Sequence, residues 1–326
     1  MGRVNPTHCE ESLLDRLGPD LPPLVFILGA HRSGTTFLHQ VLADTGHYNF
    51  VCPYDLIHFD RLLELQASGC DIEERAKLDV ELRASGPDRG LDACEVGANV
   101  AEEYGFILPK VGRFSFFAPS LTPANRPLFE LLCRKKSALD PAARPLILKN
   151  PDDFYTNFWQ IHQWYPNARL IFLHRHPLAV LNSKVKAWLR ALEKPNEYFR
   201  RLQPFYRYLL TQPKELEFFR QLLRSKAGAS GQVEKLGEAY RYYLEHSPRL
   251  SKTQWMSLRY EDLCADPDHH LGAISRFLGQ PAPARSVGSQ INTRPLQLLD
   301  NVVAAYEAGS AGLQEYLSRF GYDARP

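Results

Sequence analysis

The chain has 326 residues, of which 44% are apolar and 23% are charged. This composition is ordinary for a globular protein and excludes intrinsic disorder and a collagen-like repeat. Its 39 lysines and arginines nearly balance 37 aspartates and glutamates, so the net charge of +2 excludes a general binder of polyanions. We therefore expect no nucleic-acid partner.

The cysteines and the first residues indicate where the protein resides. Six cysteines lie far apart without a C-x-x-C pair, which in a chain of this length indicates reduced thiols and a cytoplasmic location. No cysteines or histidines have the spacing of a zinc site, so we expect no metal. Residues 1–20 are polar and acidic, unlike a signal peptide. The apolar stretch at 21–30 is about half the roughly twenty residues that a membrane span needs, so we expect a soluble protein.

Four short apolar runs indicate β-strands. They lie at residues 24–28, 145–148, 169–173 and 255–259. Most are apolar at nearly every position, which is typical of strands buried on both faces of a parallel sheet. Helix-like stretches follow three of them, at 34–44, 177–192 and 267–278. This alternation predicts an α/β fold with a central parallel sheet flanked by helices.

Two long inserts interrupt the alternation. Residues 50–143 hold helical pieces and a turn-rich part, and residues 196–250 are helix-rich and dense in aromatic side chains. The segment from Gly228 to Gly231 predicts a break between two helical parts of the second insert. We expect a single domain over 1–326, in which both inserts form walls or a lid over the carboxyl edge of the sheet.

The first predicted strand runs directly into a glycine-rich loop, GAHRSGTT at residues 29–36, and a helical pattern follows. A strand, a G-x-x-x-x-G loop and a helix in this order predict a phosphate-binding loop, in which backbone N–H groups face an anion. Thr35 stands where nucleoside triphosphatases carry a lysine, and the cation of the loop is Arg32. The loop is therefore expected to hold a less charged terminal group without a metal ion.

A second anion site is predicted at the end of the third strand. Arg175 lies at the strand tip, and Ser183 lies two turns into the helix that begins at Pro177. The planar fork of an arginine suits a phosphate group. Because both predicted sites lie at the same edge of the sheet, we expect them to serve one ligand.

Several segments together resemble a known enzyme family. They are RSGTT at 32–36, the pair Arg175 and Ser183, LRYEDL at 258–263 with DP at 266–267 and RFLG at 276–279, KNP at 149–151, and YPNAR at 165–169. In this order they resemble the motifs of sulfotransferases, in the branch that contains bacterial and tyrosylprotein sulfotransferases. These enzymes share a P-loop-like nucleotide-binding fold.

The resemblance implies 3′-phosphoadenosine 5′-phosphosulfate (PAPS) as the donor and adenosine 3′,5′-bisphosphate (PAP) as the product, with no metal. It assigns to the 5′-phosphosulfate the residues Arg32, Ser33, Gly34, Thr35 and Thr36. It assigns to the 3′-phosphate Arg175 and Ser183, and to the adenine Phe37, where many relatives carry Trp, and Tyr260.

Transfer of a sulfuryl group places charge on the bridging oxygen of the departing nucleotide, so fixed cations near that oxygen accelerate it. Arg32 and Lys149 are the predicted cations. Lys149 ends the second predicted strand, where a ligand crevice belongs in an open α/β sheet.

The general base is left open by the sequence. Small-molecule sulfotransferases place a histidine two residues after the lysine, where this chain has Pro151. In the tyrosylprotein branch a glutamate after the first helix serves instead, and a gapped alignment puts Asp55 nearest to it. His58, Glu102 and Glu103 are the alternatives.

The predicted function is sulfuryl transfer from PAPS to a hydroxyl of a small-molecule, glycan or lipid-like acceptor. Five aromatic residues of the inserts hint at a sizeable apolar acceptor: Phe114, Phe116, Phe117, Tyr198 and Tyr206. One alternative is a phosphotransferase of the small-kinase type, which the absent loop lysine disfavours. The other is a non-catalytic nucleotide-binding protein of the same fold, which the absent histidine at Pro151 favours.

Overall fold

A computed structural model describes residues 9–86, 88–89, 94–110, 119–283, 286, 288 and 296–325. Its centre is a parallel sheet with the strand order β2-β3-β1-β4-β5. The strands are β1 (Leu24–Leu28), β2 (Asn49–Phe50), β3 (Leu146–Lys149), β4 (Arg169–His174) and β5 (Trp255–Arg259). The predicted α/β fold with a central parallel sheet is confirmed.

Helices cover both faces of the sheet and form most of the two inserts. From the first residues to the end of the first insert they are α1 (Glu10–Leu14), α2 (Thr35–Asp44), α3 (Pro53–Ile57), α4 (Leu62–Ala67), α5 (Asp71–Arg83) and α6 (Arg126–Ala138). Between β3 and β5 they are α7 (Asp152–Thr156), α8 (Phe158–Trp164), α9 (Pro177–Glu193), α10 (Glu197–Leu202), α11 (Pro204–Leu209), α12 (Pro213–Arg224) and α13 (Lys226–His246). After β5 they are α14 (Tyr260–Ala265), α15 (Pro267–Leu278), α16 (Asp300–Gly309) and α17 (Gln314–Phe320).

The core lies on both faces of the sheet, as the continuous apolar runs predicted. Alternate strand residues point to opposite sides. Phe26 and Phe172 belong to a large cluster that also contains buried residues of both inserts, whereas Ile27 and Ile171 belong to a smaller cluster formed with α2 and α15. The inserts therefore pack against one face of the sheet and share its core.

The carboxyl ends of the strands meet at one edge, which places the predicted site residues together. In the register of the sheet, Ile27 of β1 lies opposite Lys149, and Leu28 lies opposite Phe172. His174 lies opposite Arg259 at the ends of β4 and β5. The loop after β1, Lys149 and the segments that follow β4 and β5 therefore share this edge.

Two sequence predictions differ from the structure. Strand β2 was missed, because two residues before Cys52 and Pro53 are too short to form an apolar run. The predicted break at Gly228 to Gly231 is wrong, since α13 runs through both glycines and the helices separate at Ser225. A Cβ on Gly228 would lie 2.0 Å from the carbonyl oxygen of Leu222, so this glycine allows α12 and α13 to approach closely.

Among the described helices, none combines the length and the apolar character that crossing a bilayer requires.

Candidate active site

The loop after β1 turns tightly into α2. The N–H of Ser33 donates to the carbonyl of Ala30 at 3.0 Å, and Arg32 and Gly34 both adopt positive φ, at 73° and 97°. Gly34 precedes the first residue of α2, and no side chain caps the helix. The first N–H groups of α2 have no carbonyl partner within the helix and carry its positive partial charge. The predicted strand, loop and helix therefore form a tight turn with the uncapped N–H groups that an anion-binding loop requires.

Tyr260 packs directly against this loop. A Cβ on Gly34 would lie 2.2 Å from Cδ2 of the Tyr260 ring, so only glycine fits there without displacing the ring. The guanidinium carbon of Arg175 lies 4.6 Å from the centre of the same ring, within the range of a cation–π contact. Tyr260 thus joins the loop to the tip of β4.

The residues of the two predicted anion sites contact each other. Nη1 of Arg175 donates to the carbonyl oxygen of Arg32 at 3.0 Å. Nε of Arg32 donates to Oγ of Ser183 at 3.1 Å, from the loop to the second turn of α9. Arg32 of the loop therefore contacts both members of the Arg175–Ser183 pair. The sequence alone could only place these residues at the same edge of the sheet.

Ser33 supplies a test of whether the loop fits a bound anion. Its Oγ is buried and has no hydrogen-bond partner among the described residues. A buried hydroxyl without a partner costs about 1–3 kcal/mol. A ligand oxygen at the loop would accept a hydrogen bond from this hydroxyl, so the residues present fit a phosphate-bearing ligand. The described residues contain no group of three or more His, Cys, Asp or Glu side chains that could hold a metal ion.

Lys149 and Glu103 form a buried ion pair beside the loop. Nζ of Lys149 lies 2.5 Å from Oε1 of Glu103, and the lysine side chain is 2% exposed. Burial raises the pKa of the Glu103 carboxyl, but Lys149, with His31 and Arg89, outweighs burial and lowers the pKa below its usual value. Glu103 is therefore ionised at neutral pH. It contacts Lys149, which the sequence analysis predicted to stabilise charge during the transfer.

His31 of the loop contacts a second carboxylate. Its Nε2 lies 3.1 Å from Oδ2 of Asp152, three residues after Lys149. Sequence reasoning did not select Asp152, although its place immediately after KNP could have pointed to it. The pair connects the phosphate loop to the segment that carries Lys149.

Asp55 lies apart from these residues. Its Oδ2 accepts hydrogen bonds from the N–H of Cys52 at 2.9 Å and from Nζ of Lys136 at 2.7 Å, so it caps α3 and holds a buried ion pair. The side chain has no exposed surface. A carboxylate enclosed in this way cannot reach the hydroxyl of an acceptor. The structure therefore does not support Asp55 as the base.

Glu102 and His58 have different roles. Nη1 of Arg89 lies 2.8 Å from both oxygens of Glu102, and the hydroxyl of Tyr198 donates to the same buried carboxylate. His58 lies against Tyr54, with ring centroids 4.7 Å apart, and burial lowers its pKa. Among the hydrogen bonds and ion pairs of the described residues, Lys149 contacts neither Glu102 nor His58. Of the candidates for the general base, only Glu103 therefore contacts Lys149.

The aromatic residues predicted to contact the adenine or the acceptor differ in their environments. Phe37 is partly buried and packs with Tyr260 against the smaller core cluster. Tyr198 and Tyr206 are buried, and their hydroxyls bond to Glu102 and to the carbonyl of Ala191, so they pack within the protein. Phe114, Phe116 and Phe117 lie outside the described residues.

Comparisons with known proteins agree with this geometry. The profile of the family described as "Sulfotransferase family" matches residues 23–284. The structure of the sulfotransferase STF9 from Mycobacterium avium superposes with a TM-score of 0.63 at 17% sequence identity, over 96% of this chain and 80% of that chain. The sulfotransferase STF1 from Mycobacterium tuberculosis H37Rv gives a TM-score of 0.53 at 16% identity, over 94% and 78%. A search of curated protein sequences finds no significant match.

The structural likeness establishes the fold, and the profile match covers most of the sequence. The predicted motifs fall inside the matched region, from the loop at 29–36 to the segment ending at Gly279. The chain therefore belongs to the sulfotransferase family of enzymes.

Proposed function

We propose that the protein transfers a sulfuryl group from PAPS to a hydroxyl of a small-molecule, glycan or lipid-like acceptor. The observation that carries this proposal is the bridge through Arg32, which contacts both Arg175 and Ser183. One nucleotide with phosphates at its 5′ and 3′ positions has the chemistry that two joined anion sites require. The loop would hold the 5′-phosphosulfate, and Arg175 with Ser183 would hold the 3′-phosphate.

The adenine would lie near Phe37 and Tyr260. Both aromatic rings are partly buried and pack against the smaller core cluster. A flat base stacks on such rings without needing particular hydrogen bonds. Tyr260 would then serve two purposes, since its ring also supports Gly34 and Arg175.

In the transfer step, the acceptor oxygen attacks sulfur while the bond between sulfur and the bridging oxygen breaks. Negative charge accumulates on the bridging oxygen, which leaves with PAP. Arg32 and Lys149 would stabilise this charge, and removal of one such group from an enzyme typically lowers the rate by about 10²–10³. Thr35 in place of the loop lysine favours a transfer without a metal ion.

Glu103 would accept the proton of the acceptor hydroxyl. The ion pair with Lys149 keeps the carboxylate in the form that can take up a proton. A base of this kind typically contributes about 10²–10⁴ in rate. This assignment replaces Asp55 and retains one of the alternatives that the sequence left open.

Both inserts would contribute to the acceptor site. Phe106, three residues after Glu103, and Phe199 of α10 pack together with ring centroids 6.2 Å apart. Both side chains are partly buried against the core. An apolar surface at this position supports an acceptor with an apolar part.

The proposal is tested by turnover. The purified protein is incubated with PAPS and small-molecule extracts in the presence of EDTA, and mass spectrometry follows products heavier by SO₃ together with PAP release. We expect sulfated products with the wild-type protein and a loss of about 10²–10³ in rate with Lys149→Ala. A requirement for Mg²⁺, or phosphorylated products from ATP, would contradict the proposal.

A further inference from the structure

Both residues that flank Arg175 are held by a distant part of the chain, residues 314–325. His174 bonds through Nδ1 to the hydroxyl of Tyr316 at 2.8 Å, and its ring stacks on Phe320 at 4.0 Å between centroids. His176 bonds through Nε2 to the carbonyl of Asp323 at 3.0 Å. Residues 314–325 therefore hold the tip of β4 on both sides of Arg175.

Glu261 connects this segment to the donor site through both carboxylate oxygens. Oε1 accepts a hydrogen bond from the backbone N–H of His176 at 3.0 Å, and Oε2 accepts one from the hydroxyl of Tyr322 at 3.0 Å. Glu261 directly follows Tyr260, the residue whose ring lies under the guanidinium of Arg175. The Glu261 carboxylate therefore holds the backbone on one side of Arg175 and is adjacent in sequence to the ring that Arg175 contacts.

Other contacts hold Tyr322 itself in place. The guanidinium carbon of Arg259 lies 4.5 Å from the centre of its ring, and the ring of His176 meets it edge-on at 5.4 Å. The Tyr322 hydroxyl is therefore directed at Glu261 by packing on two sides. A chain of contacts runs from Tyr322 through Glu261 to the peptide that follows Arg175.

We propose that Glu261 and Tyr322 are positioning residues for the 3′-phosphate, so that residues 314–325 take part in donor recognition. This inference rests on the proposed function of Arg175. Arginine recognises phosphate through a planar fork whose direction matters, so a small rotation at residues 174–176 lowers affinity for the 3′-phosphate. The 5′ loop meets this chain of contacts only through Arg175 and Tyr260, so recognition of a 5′-phosphate alone should change less than recognition of the 3′-phosphate.

Calorimetry with PAP and adenosine 5′-phosphate (AMP) tests the inference without an acceptor. For Tyr322→Phe we expect the Kd for PAP to rise about three- to tenfold, which corresponds to the loss of one typical hydrogen bond, and the Kd for AMP to change by less than about twofold. Glu261→Gln removes the negative charge and replaces one of the two acceptor oxygens with an NH2 group, so it should raise the Kd for PAP by more than Tyr322→Phe does, again with little change in the Kd for AMP.

Tyr165→Phe is the matched control. Its hydroxyl also bonds to a glutamate, Glu130, at 3.1 Å, but Tyr165 precedes β4 at the opposite end of the strand. This variant should leave the ratio of the two dissociation constants unchanged. Thermal unfolding checks that each variant is folded.

Each outcome separates the inference from the proposed function. Equal losses of PAP and AMP affinity in Tyr322→Phe would show a purely structural role and overturn the inference. An unchanged ratio in both Tyr322→Phe and Glu261→Gln would also overturn it, while a wild-type preference for PAP would leave the proposed function intact. If the wild-type protein binds PAP no better than AMP, the assignment of Arg175 itself fails.

Discussion

The contact between Gly34 and Tyr260 allows a sharp test of the phosphate loop. Gly34→Ala adds one methyl group at a residue whose φ is 97°. A side chain in the left-handed region costs roughly 1–2 kcal/mol per residue. The added Cβ would also lie 2.2 Å from Cδ2 of Tyr260, well inside ordinary van der Waals contact, so the ring or the loop must move by about 1 Å.

The structure indicates that this movement disturbs binding. Overpacking a filled site costs about 1–3 kcal/mol, and here the residues that would move are those that we expect to hold the 5′-phosphate. If about half of the combined cost falls on the bound state, affinity for PAP and for AMP drops about tenfold, because 1.4 kcal/mol corresponds to a factor of ten. Both nucleotides should be affected, since both carry the 5′-phosphate.

Gly46 provides the control at the other end of α2. Its φ is 73°, but a Cβ there would meet no atom within 4 Å. Gly46→Ala should therefore lower the free energy of unfolding by about 1–2 kcal/mol and leave nucleotide affinity unchanged. Calorimetry and urea unfolding measure both quantities. Wild-type affinity in Gly34→Ala, or an equal loss of affinity in Gly46→Ala, would refute the reasoning.

Three further predictions concern the remaining buried groups. Glu103→Gln should lower turnover by about 10²–10⁴ with PAP affinity nearly unchanged, and an unaltered rate would return the base to another residue. Asp55→Asn should destabilise the fold by about 3–5 kcal/mol, because it leaves Lys136 buried without its ion pair, and the folded fraction should keep its turnover. Burial, and to a smaller extent Lys149, lowers the pKa of His39 from 6.5 to about 3 in the folded protein. Between pH 3 and pH 6.5, His39 is therefore protonated in the unfolded chain but not in the folded protein. Stability should therefore fall as the pH drops through this range, with about 1.4 kcal/mol per pH unit from His39, and His39→Leu should reduce the slope by that amount in urea unfolding at pH 4.5 and 6, while buried His174, whose pKa is also lowered to about 3, keeps its own contribution.

Local signals in the sequence were sufficient for the fold and for bringing the candidate donor-site residues to one edge of the sheet. The apolar runs at 24–28 and 169–173 match β1 and β4, because a strand buried on both faces must be apolar at nearly every position. The loop was predictable because its glycines, hydroxyls and Arg32 lie in one short segment. Arg175 and Ser183 were predictable for the same reason, since both follow one strand.

Long-range packing determined what the sequence could not show. Glu103 contacts Lys149 across 46 positions of the chain, and no local pattern distinguishes it from Glu102 beside it. Asp55 matched a gapped alignment, but its pairing with Lys136 depends on how α6 packs on α3. The contact of Tyr322 with Glu261 spans 61 positions and joins two segments that neither periodicity nor spacing relates.

The central claim is that one nucleotide occupies the loop and the tip of β4 together. A crystal structure with PAP tests this most directly. The account predicts the 5′-phosphate against the N–H groups of residues 34–36 and the 3′-phosphate against Arg175 and Ser183. A nucleotide bound elsewhere, or bound with its 3′-phosphate away from Arg175, would contradict the account.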